Sequence, residues 1–204
     1  MFLSIAELLE KIWLGEDSFL ELKEVRFSGE RVSAPTRNDL ADELAAFANS
    51  HGGVLVLGVH DKQRAVTGIP HAGLDAVESL VREACYDSIR PPLMPVIARL
   101  TLPNAAGERV AVVRVDVPRS LFVHQSPGGY FYRLGSSKRQ MPPDYLGRLF
   151  QQRSQTRLIR FDEQAVAEAR ITDLAPVLWE RFATPLTQDT PEDMLQKLGM
   201  ARHD

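Results

Sequence analysis

The stretch "ELAAFANSHGGVLVLGVHD", residues 43–61, decides the fold because it passes from a helical pattern to a strand pattern within a few residues. Apolar residues at helical spacing before the "SHGG" sequence predict a helix with one buried face. The uninterrupted apolar run "VLVLGV", residues 54–59, then predicts a central strand that is buried on both faces. We interpret Gly52 and Gly53, which separate the two patterns, as the C-terminal cap of the helix.

Further strands are predicted on both sides of this unit. The alternation in "FLELKEV", residues 19–25, predicts a strand that places Glu21 and Lys23 on the same face. Two apolar segments, "VIARLTL" and "RVAVVRVDV", predict a hairpin joined by the loop "PNAAGE". A short strand is predicted over Tyr130–Leu134, followed by a Gly-Ser turn, whereas "SGERVSAP" is interpreted as a loop.

Helices interrupt these strands at uneven intervals. Thr36, with Asp39 three residues later, is expected to cap the helix that ends at "SHGG". Other helices are predicted over residues 3–13, over residues 72–90, and from Pro142 to about residue 152. This order predicts an α+β fold with a mixed β-sheet flanked by helices, rather than a doubly wound parallel sheet.

The composition changes near residue 160, which predicts two regions. Residues 1–160 are expected to form one α+β domain, since 44% of the 204 residues are hydrophobic and suffice for one core. Residues 161–204 are expected to form a helical extension, with Thr172 and Thr190 as N-caps.

Several classes of site and location are disfavoured by the sequence. The lone Cys85 excludes an intrachain disulfide and a Cys-rich zinc site. The five histidines show no metal-ligand spacing, and neither a Gly-x-x-x-x-Gly-Lys phosphate loop nor a Gly-x-Ser-x-Gly elbow occurs. No apolar run approaches the ~20 residues that cross a bilayer, and the N-terminus lacks a basic leader. We therefore expect a cytoplasmic protein without a membrane partner.

A basic block stands out in a chain whose net charge is −3. Residues 133–160 carry a net charge of +6, whereas residues 1–132 carry −4 and residues 161–204 carry −5. The block is a candidate phosphate-facing surface, and the alternative is a solvated helix face. The candidate nucleic-acid contacts comprise a backbone nest with its serines, charged side chains, and aromatic rings for base stacking: Gly135, Ser136, Ser137, Arg133, Lys138, Arg139, Tyr130 and Tyr132.

A second candidate site consists of carboxylates. Glu16 precedes the first predicted strand, Glu21 lies on it beside Lys23, and Asp61 ends the buried strand. Clustered carboxylates need a cation or a proton to coexist, and Mg²⁺ or Mn²⁺ prefers oxygen ligands. Glu16, Glu21 and Asp61 are therefore candidate metal ligands, with Lys23 as an electrostatic helper, and the alternative is a salt-bridged strand edge.

Five segments in order resemble the Schlafen-type AlbA-like domain, a family associated with DNA binding: "GEDSFLELKE", "ELAAFANSHGGVLVLGVHD", "AVTGI", "IRPPLMP" and "YFYRLGSSKRQMPPDYLGRLF". They cover roughly residues 12–153. The resemblance implies the AlbA-like fold and a nucleic-acid-binding domain of a bacterial regulator-like protein. The segment after residue 160 resembles linker helices that lead to a C-terminal module in longer proteins of this kind, so we expect such a module to be absent from this chain.

The resemblance also implies an alternative function. Nuclease members of the Schlafen family use two glutamates at this spacing and a later aspartate in a metal-dependent RNA-cleaving site, and Glu16, Glu21 and Asp61 match that pattern. Those nucleases close two lobes around RNA, so this single lobe would require a homodimer. Three hypotheses therefore stand: a module that binds DNA or RNA, a metal-dependent endoribonuclease in which these carboxylates and Lys23 are catalytic, and a protein-interaction or dimerisation module.

Overall fold

The computed structural model describes residues 4–157, Thr190 and Asp193. The chain divides into two compact units, Met1–Arg153 and Ser154–Asp204. Most of the predicted helical extension, including Thr172, lies outside the described residues. Thr190 Oγ1 accepts a hydrogen bond from Asp193 N at 3.2 Å, which is the geometry of the predicted N-cap.

The described elements alternate between helices and short strands. In chain order they are α1 (Ile5–Leu14), β1 (Leu20–Lys23), β2 (Arg26–Ser28), β3 (Arg31–Ala34), α2 (Arg37–Asn49), β4 (Gly52–Leu57), β5 (Val59–His60), β6 (Ala65–Val66), a 3₁₀ turn (His71–Gly73), α3 (Leu74–Asp87), β7 (Val96–Pro103), β8 (Arg109–Pro118), β9 (Phe131–Leu134), β10 (Ser137–Gln140) and α4 (Pro143–Arg157). Within residues 4–157 no helix is both long and apolar enough to cross a membrane.

The main sheet has four strands in the order β1-β4-β8-β7. Strand β1 runs parallel to β4, whereas β8 is antiparallel to both of its neighbours. The predicted mixed sheet and α+β class are therefore confirmed. Helices α2 and α3 cover the face of the sheet that carries Leu55 and Val113. Helix α1 covers the opposite face, which carries Leu22 and Val56.

The start of α2 forms as the sequence predicts. Thr36 Oγ1 accepts from Asp39 N at 3.2 Å, and Asp39 Oδ2 accepts from Thr36 N at 3.2 Å, so both ends of the capping box are closed. These hydrogen bonds join residues three apart, which explains why a local pattern suffices to predict them.

Two short hairpins differ from the sequence prediction. The segment predicted as the loop "SGERVSAP" forms most of the β2–β3 hairpin, whose turn contains Gly29 at φ +63°. Strand β10 was not predicted, and it pairs with β9 across a turn that begins with Gly135 at φ +60°. A glycine at the first turn position with positive φ is typical of a type II′ hairpin turn, which matches the twist of the flanking strands.

The prediction that Gly52 and Gly53 cap α2 is wrong, because Ser50 is the C-cap and both glycines belong to β4. Close packing is the reason that glycine occupies these positions. A Cβ on Gly52 would lie 2.6 Å from the Val117 carbonyl oxygen, at φ +81°, and one on Gly53 would lie 2.3 Å from the Phe47 ring. The glycines thus allow the start of β4 to approach α2 and β8.

Candidate functional site

A buried cluster of charged side chains joins β1, α2 and the β9–β10 hairpin. Arg133 Nη1 donates to Glu21 Oε2 at 2.7 Å and to Glu43 Oε2 at 2.9 Å. All three residues are buried, and the Arg133 guanidinium also lies 4.7 Å from the centre of the Phe47 ring. Arg133 therefore fixes β9 to the core through two carboxylates from different elements.

Two lysines extend this cluster toward solvent. Lys23 Nζ donates to Glu21 Oε1, which confirms that these two residues share a face of β1. Burial acts to lower the pKa of Lys23, but the charge and hydrogen bond of Glu21, with two further glutamates, raise the pKa above its ordinary value. Lys138 Nζ lies 3.4 Å from Glu43 and 3.7 Å from Asp42. The cluster therefore neutralises most of its own charge.

Glu16 lies at the edge of the cluster and has a different environment. Its Oε1 atom accepts a hydrogen bond from Leu22 N at 3.0 Å, so the carboxylate folds back onto β1. Burial raises its pKa above the ordinary 4.5; the Leu22 hydrogen bond opposes this shift and the Glu21 charge adds to it. A glutamate in this setting binds a proton more readily in the folded chain than in the unfolded one.

We expect Glu16→Gln to flatten part of the pH dependence of stability. The folded-state pKa of Glu16 is raised, so its protonated carboxyl group contributes to the stability of the folded chain. This stability is fully present below the unfolded-state pKa and is lost as pH rises through the folded-state pKa. Glutamine cannot ionise and can still accept from Leu22 N, so the variant should gain stability over wild type as pH rises from about 4 to about 7. Urea denaturation at several pH values measures this gain. The exposed Glu10→Gln variant is the control, and parallel curves for Glu16→Gln and wild type would contradict the account.

Asp61 lies in the turn between β5 and β6, where it is exposed and 3.3 Å from His60 Nδ1. Arg64, in the same turn, donates to the Trp13 carbonyl oxygen at 2.9 Å and packs over Gly15. The turn that carries Asp61 therefore lies against the loop that leads to Glu16. Within the described part of the chain, however, no three His, Cys, Asp or Glu side chains converge as a metal site. The predicted ligands Glu16, Glu21 and Asp61 do not form one in this arrangement, and the Mg²⁺ or Mn²⁺ hypothesis stays a prediction.

The structure divides the predicted nucleic-acid contacts into two groups. Arg133 lies in the interior rather than at a phosphate-facing surface, because its guanidinium is held by Glu21 and Glu43. Ser136 and Arg139 are exposed, and the remaining hairpin contacts, Ser137 and Lys138, are half-buried. Within the hairpin, Arg139 on β10 is thus the exposed basic residue of the block.

The two candidate stacking tyrosines pack against α4. The Tyr132 ring centre lies 5.3 Å from that of Tyr145, and the Tyr130 ring centre lies 5.9 Å from that of Phe150. Both tyrosines are half-buried and contact a small cluster around Leu149. Their observed contacts therefore account for packing, while base stacking by these rings stays a prediction.

Sequence reasoning missed two buried residues of α2 that hold this region together. Glu43 occupies the apolar stripe of α2, three residues after Leu40, and a carboxylate at such a position signals a buried partner. Asn49 donates from Nδ2 to the backbone oxygens of His124 and Phe131, at 2.8 and 3.0 Å. No local sequence pattern predicts these hydrogen bonds, because the partners of Asn49 lie more than seventy residues away.

The profile of the family described as Schlafen, AlbA_2 matches residues 16–142. The chain belongs to this family. Its match spans Glu16 and Glu21, the α2–β4 unit and the β9–β10 hairpin, so the resemblance seen in the sequence is confirmed. Family membership suggests a nucleic-acid-related function.

Among curated proteins no match is found. One similar solved structure is that of the DIP2311 protein from Corynebacterium diphtheriae, at 23% sequence identity and a TM-score of 0.45. The similarity covers 89% of this chain and 36% of that protein. This chain therefore spans little more than a third of the length of that protein.

Proposed function

We propose that this Schlafen AlbA_2 domain binds nucleic acid through the exposed side of the β9–β10 hairpin and the exposed basic side of α4. The observation that carries the proposal is that some polar and basic side chains of the hairpin are held in the interior and others are exposed. Arg133 and its cross-strand partner Lys138 face the buried carboxylates, while Arg139 on β10 and Ser136 in the turn are exposed. An exposed arginine on an anchored hairpin suits contact with a phosphate backbone.

The charge balance of the cluster supports this assignment. Arg133 and Lys138 are engaged by Glu21, Glu43 and Asp42. Arg153 is also turned inward, where Nη2 donates to the Asn49 carbonyl oxygen at 2.7 Å. Among the basic residues of 133–153, Arg139 and Arg148 are the two that the described structure leaves exposed. We therefore assign the main phosphate contacts to these two arginines.

The turn of the hairpin, which ends three residues before Arg139, offers backbone donors. Gly135 and Ser136 are exposed, and a Cβ built on Gly135 would have no atom within 4 Å. The backbone at the tip is therefore open to an approaching group. Main-chain N–H groups in such a turn can complement a phosphate that an arginine attracts.

Replacing Arg139 tests the proposal directly. We expect Arg139→Ala to weaken binding of a fluorescent single-stranded RNA or DNA by about fivefold to tenfold, because one charge-assisted phosphate contact is lost. Fluorescence anisotropy measures the affinity. Arg109→Ala, which removes an exposed arginine at the start of β8, is the matched control and should bind as wild type does. Equal losses in both variants would contradict a hairpin-centred surface.

The endoribonuclease hypothesis is a second proposal, favoured by the contact between Lys23 and Glu21 and by the Arg64 contact that brings the Asp61 turn to the Glu16 loop. Glu21→Ala is a poor test, because Glu21 also neutralises the buried Arg133. Asp61→Asn is sharper, since Asp61 is exposed. If the proposal is correct, wild type cleaves structured RNA in the presence of Mn²⁺ and Asp61→Asn loses at least about a hundredfold in rate. Cleavage retained in Asp61→Asn would contradict it.

The homodimer and the protein-interaction module are further proposals. Light scattering and a gel-shift assay together distinguish them from nucleic-acid binding by a single lobe. Light scattering that shows a stable dimer, together with the absence of any gel shift on RNA or DNA, would favour an interaction module. A gel shift by a monomer would instead favour a binding lobe that works alone.

A further inference from the structure

A cavity of about 460 Å³ opens on the main sheet where β4 begins and β8 ends. Its lining includes Gly52 and Gly53 on one strand and Val117 and Pro118 on the next. The volume falls in the range of small-ligand sites. No charged side chain of the cluster around Arg133 lines this cavity, so the proposed hairpin surface does not account for it.

The rim of this cavity combines aromatic and charged side chains. Phe19 and His51 are both exposed, and their ring centres lie 6.2 Å apart at an angle of 56°. Lys11 and Asp116 also line the cavity. Arg114 donates to Asp116 from Nε and Nη2, and both bonds end on Oδ1. The Oδ2 atom receives neither of these two bonds.

These groups match the parts of a nucleotide. An exposed aromatic ring provides a stacking surface for a base, a carboxylate accepts from an exocyclic amine or a sugar hydroxyl, and an ammonium group attracts a phosphate. Lys11 Nζ lies 3.8 Å from Asp17 Oδ2, and a phosphate would compete for this partly exposed pair.

The loop that carries Phe19 is held from two directions. Asp17 Oδ1 accepts from Phe19 N at 2.7 Å and from Leu20 N at 2.8 Å. Arg133 Nη2 donates to the Asp17 carbonyl oxygen at 2.9 Å. The arginine that anchors the hairpin therefore also anchors the loop that positions the aromatic rim. Arg133 therefore connects the hairpin of the proposed binding surface with the loop that lines the cavity.

We propose that this cavity captures one unstacked base of a single-stranded nucleic acid, with Phe19 and His51 contacting the base, Asp116 accepting from its polar edge or sugar, and Lys11 facing the phosphate. The inference rests on the proposed nucleic-acid-binding function and names a second contact of the same module. Because a free nucleotide presents the same chemistry, the experiment has an arm for each source.

The first arm uses a single-stranded oligonucleotide of about ten nucleotides that carries 2-aminopurine, whose emission reports stacking of that base. Wild type should change the emission on binding. Phe19→Ala should lose this change and bind about tenfold more weakly, since stacking of one base on an aromatic side chain is lost. Arg139→Ala should bind more weakly and yet give the wild-type emission at saturation. The 49% exposure of Phe19 makes its truncation compatible with folding, which thermal denaturation checks.

The outcomes separate the two proposals. Binding by Phe19→Ala with wild-type affinity and emission would overturn the base pocket and leave the hairpin surface intact. If wild type binds no oligonucleotide, the proposed function fails, and the second arm titrates AMP and adenosine by NMR. AMP binding that Phe19→Ala abolishes, and that Lys11→Gln weakens without affecting adenosine, would then assign the cavity to free nucleotides. Absence of any shift with AMP would overturn the cavity proposal as well.

Discussion

Arg133→Ala is expected to lower the free energy of unfolding by about 3–5 kcal/mol, because it leaves two buried carboxylates without their shared cation. Glu21 and Glu43 both depend on Arg133 Nη1, although Lys23 and Lys138 remain near them. These lysines keep the expected loss toward the lower end of that range. The variant also loses the guanidinium contact with Phe47 and the hydrogen bond to the Asp17 carbonyl oxygen. Urea denaturation measures the change.

Two controls identify the cause of this loss. Arg139→Ala removes an exposed arginine from the same hairpin and should change stability by less than about 0.5 kcal/mol. Combining Arg133→Met with Glu21→Gln and Glu43→Gln should recover part of the loss, since the uncompensated charges are then gone. A wild-type unfolding curve for Arg133→Ala would show that the cluster does not hold the hairpin.

Asn49→Ala should destabilise the chain by about 3 kcal/mol. The Asn49 side chain donates to two backbone carbonyl groups and accepts from His124 N at 2.8 Å, and Asn49 is buried. Truncation therefore leaves three backbone groups unpaired in the interior, each of which carries a desolvation penalty of about 1–3 kcal/mol before local relaxation. Thermal or urea denaturation measures the loss.

Asn38→Ala is the matched control for this prediction, because Asn38 lies on the same helix and is exposed. Its stability should stay within about 0.5 kcal/mol of wild type. A similar result for both variants would mean that water replaces the Asn49 side chain, and that this asparagine does not link α2 to the segment before β9.

The parts of the fold that sequence reasoning predicted are those with a local cause. The Thr36–Asp39 capping box, the buried strand within residues 54–59 and the hairpin of β7 and β8 each follow from residues that are close in sequence. The mixed order of the sheet followed from the sequence of elements. The Glu21–Lys23 pair was also predictable from local sequence, since residues two apart on a strand share a face.

The parts that it missed depend on distant partners. Arg133 looked like a surface charge within a basic block, and only the approach of Glu21, 112 residues away, turns it into a buried anchor. Gly52 and Gly53 looked like a helix cap because they follow the helical pattern. The constraint that explains them comes instead from Phe47 and from β8. Strand β10 is short and polar, so its pairing with β9 had no hydrophobic signal in the sequence.

The salt dependence of binding tests the central claim most directly. Wild type and Arg139→Ala would be titrated with single-stranded RNA and DNA between about 50 and about 200 mM salt. We predict that wild-type affinity falls steeply over this range, and that Arg139→Ala reduces the slope of log affinity against log salt by about 0.7–1, as expected for one lost phosphate contact. Affinity that stays flat with salt, or a slope that is the same in both proteins, would contradict a phosphate-binding hairpin.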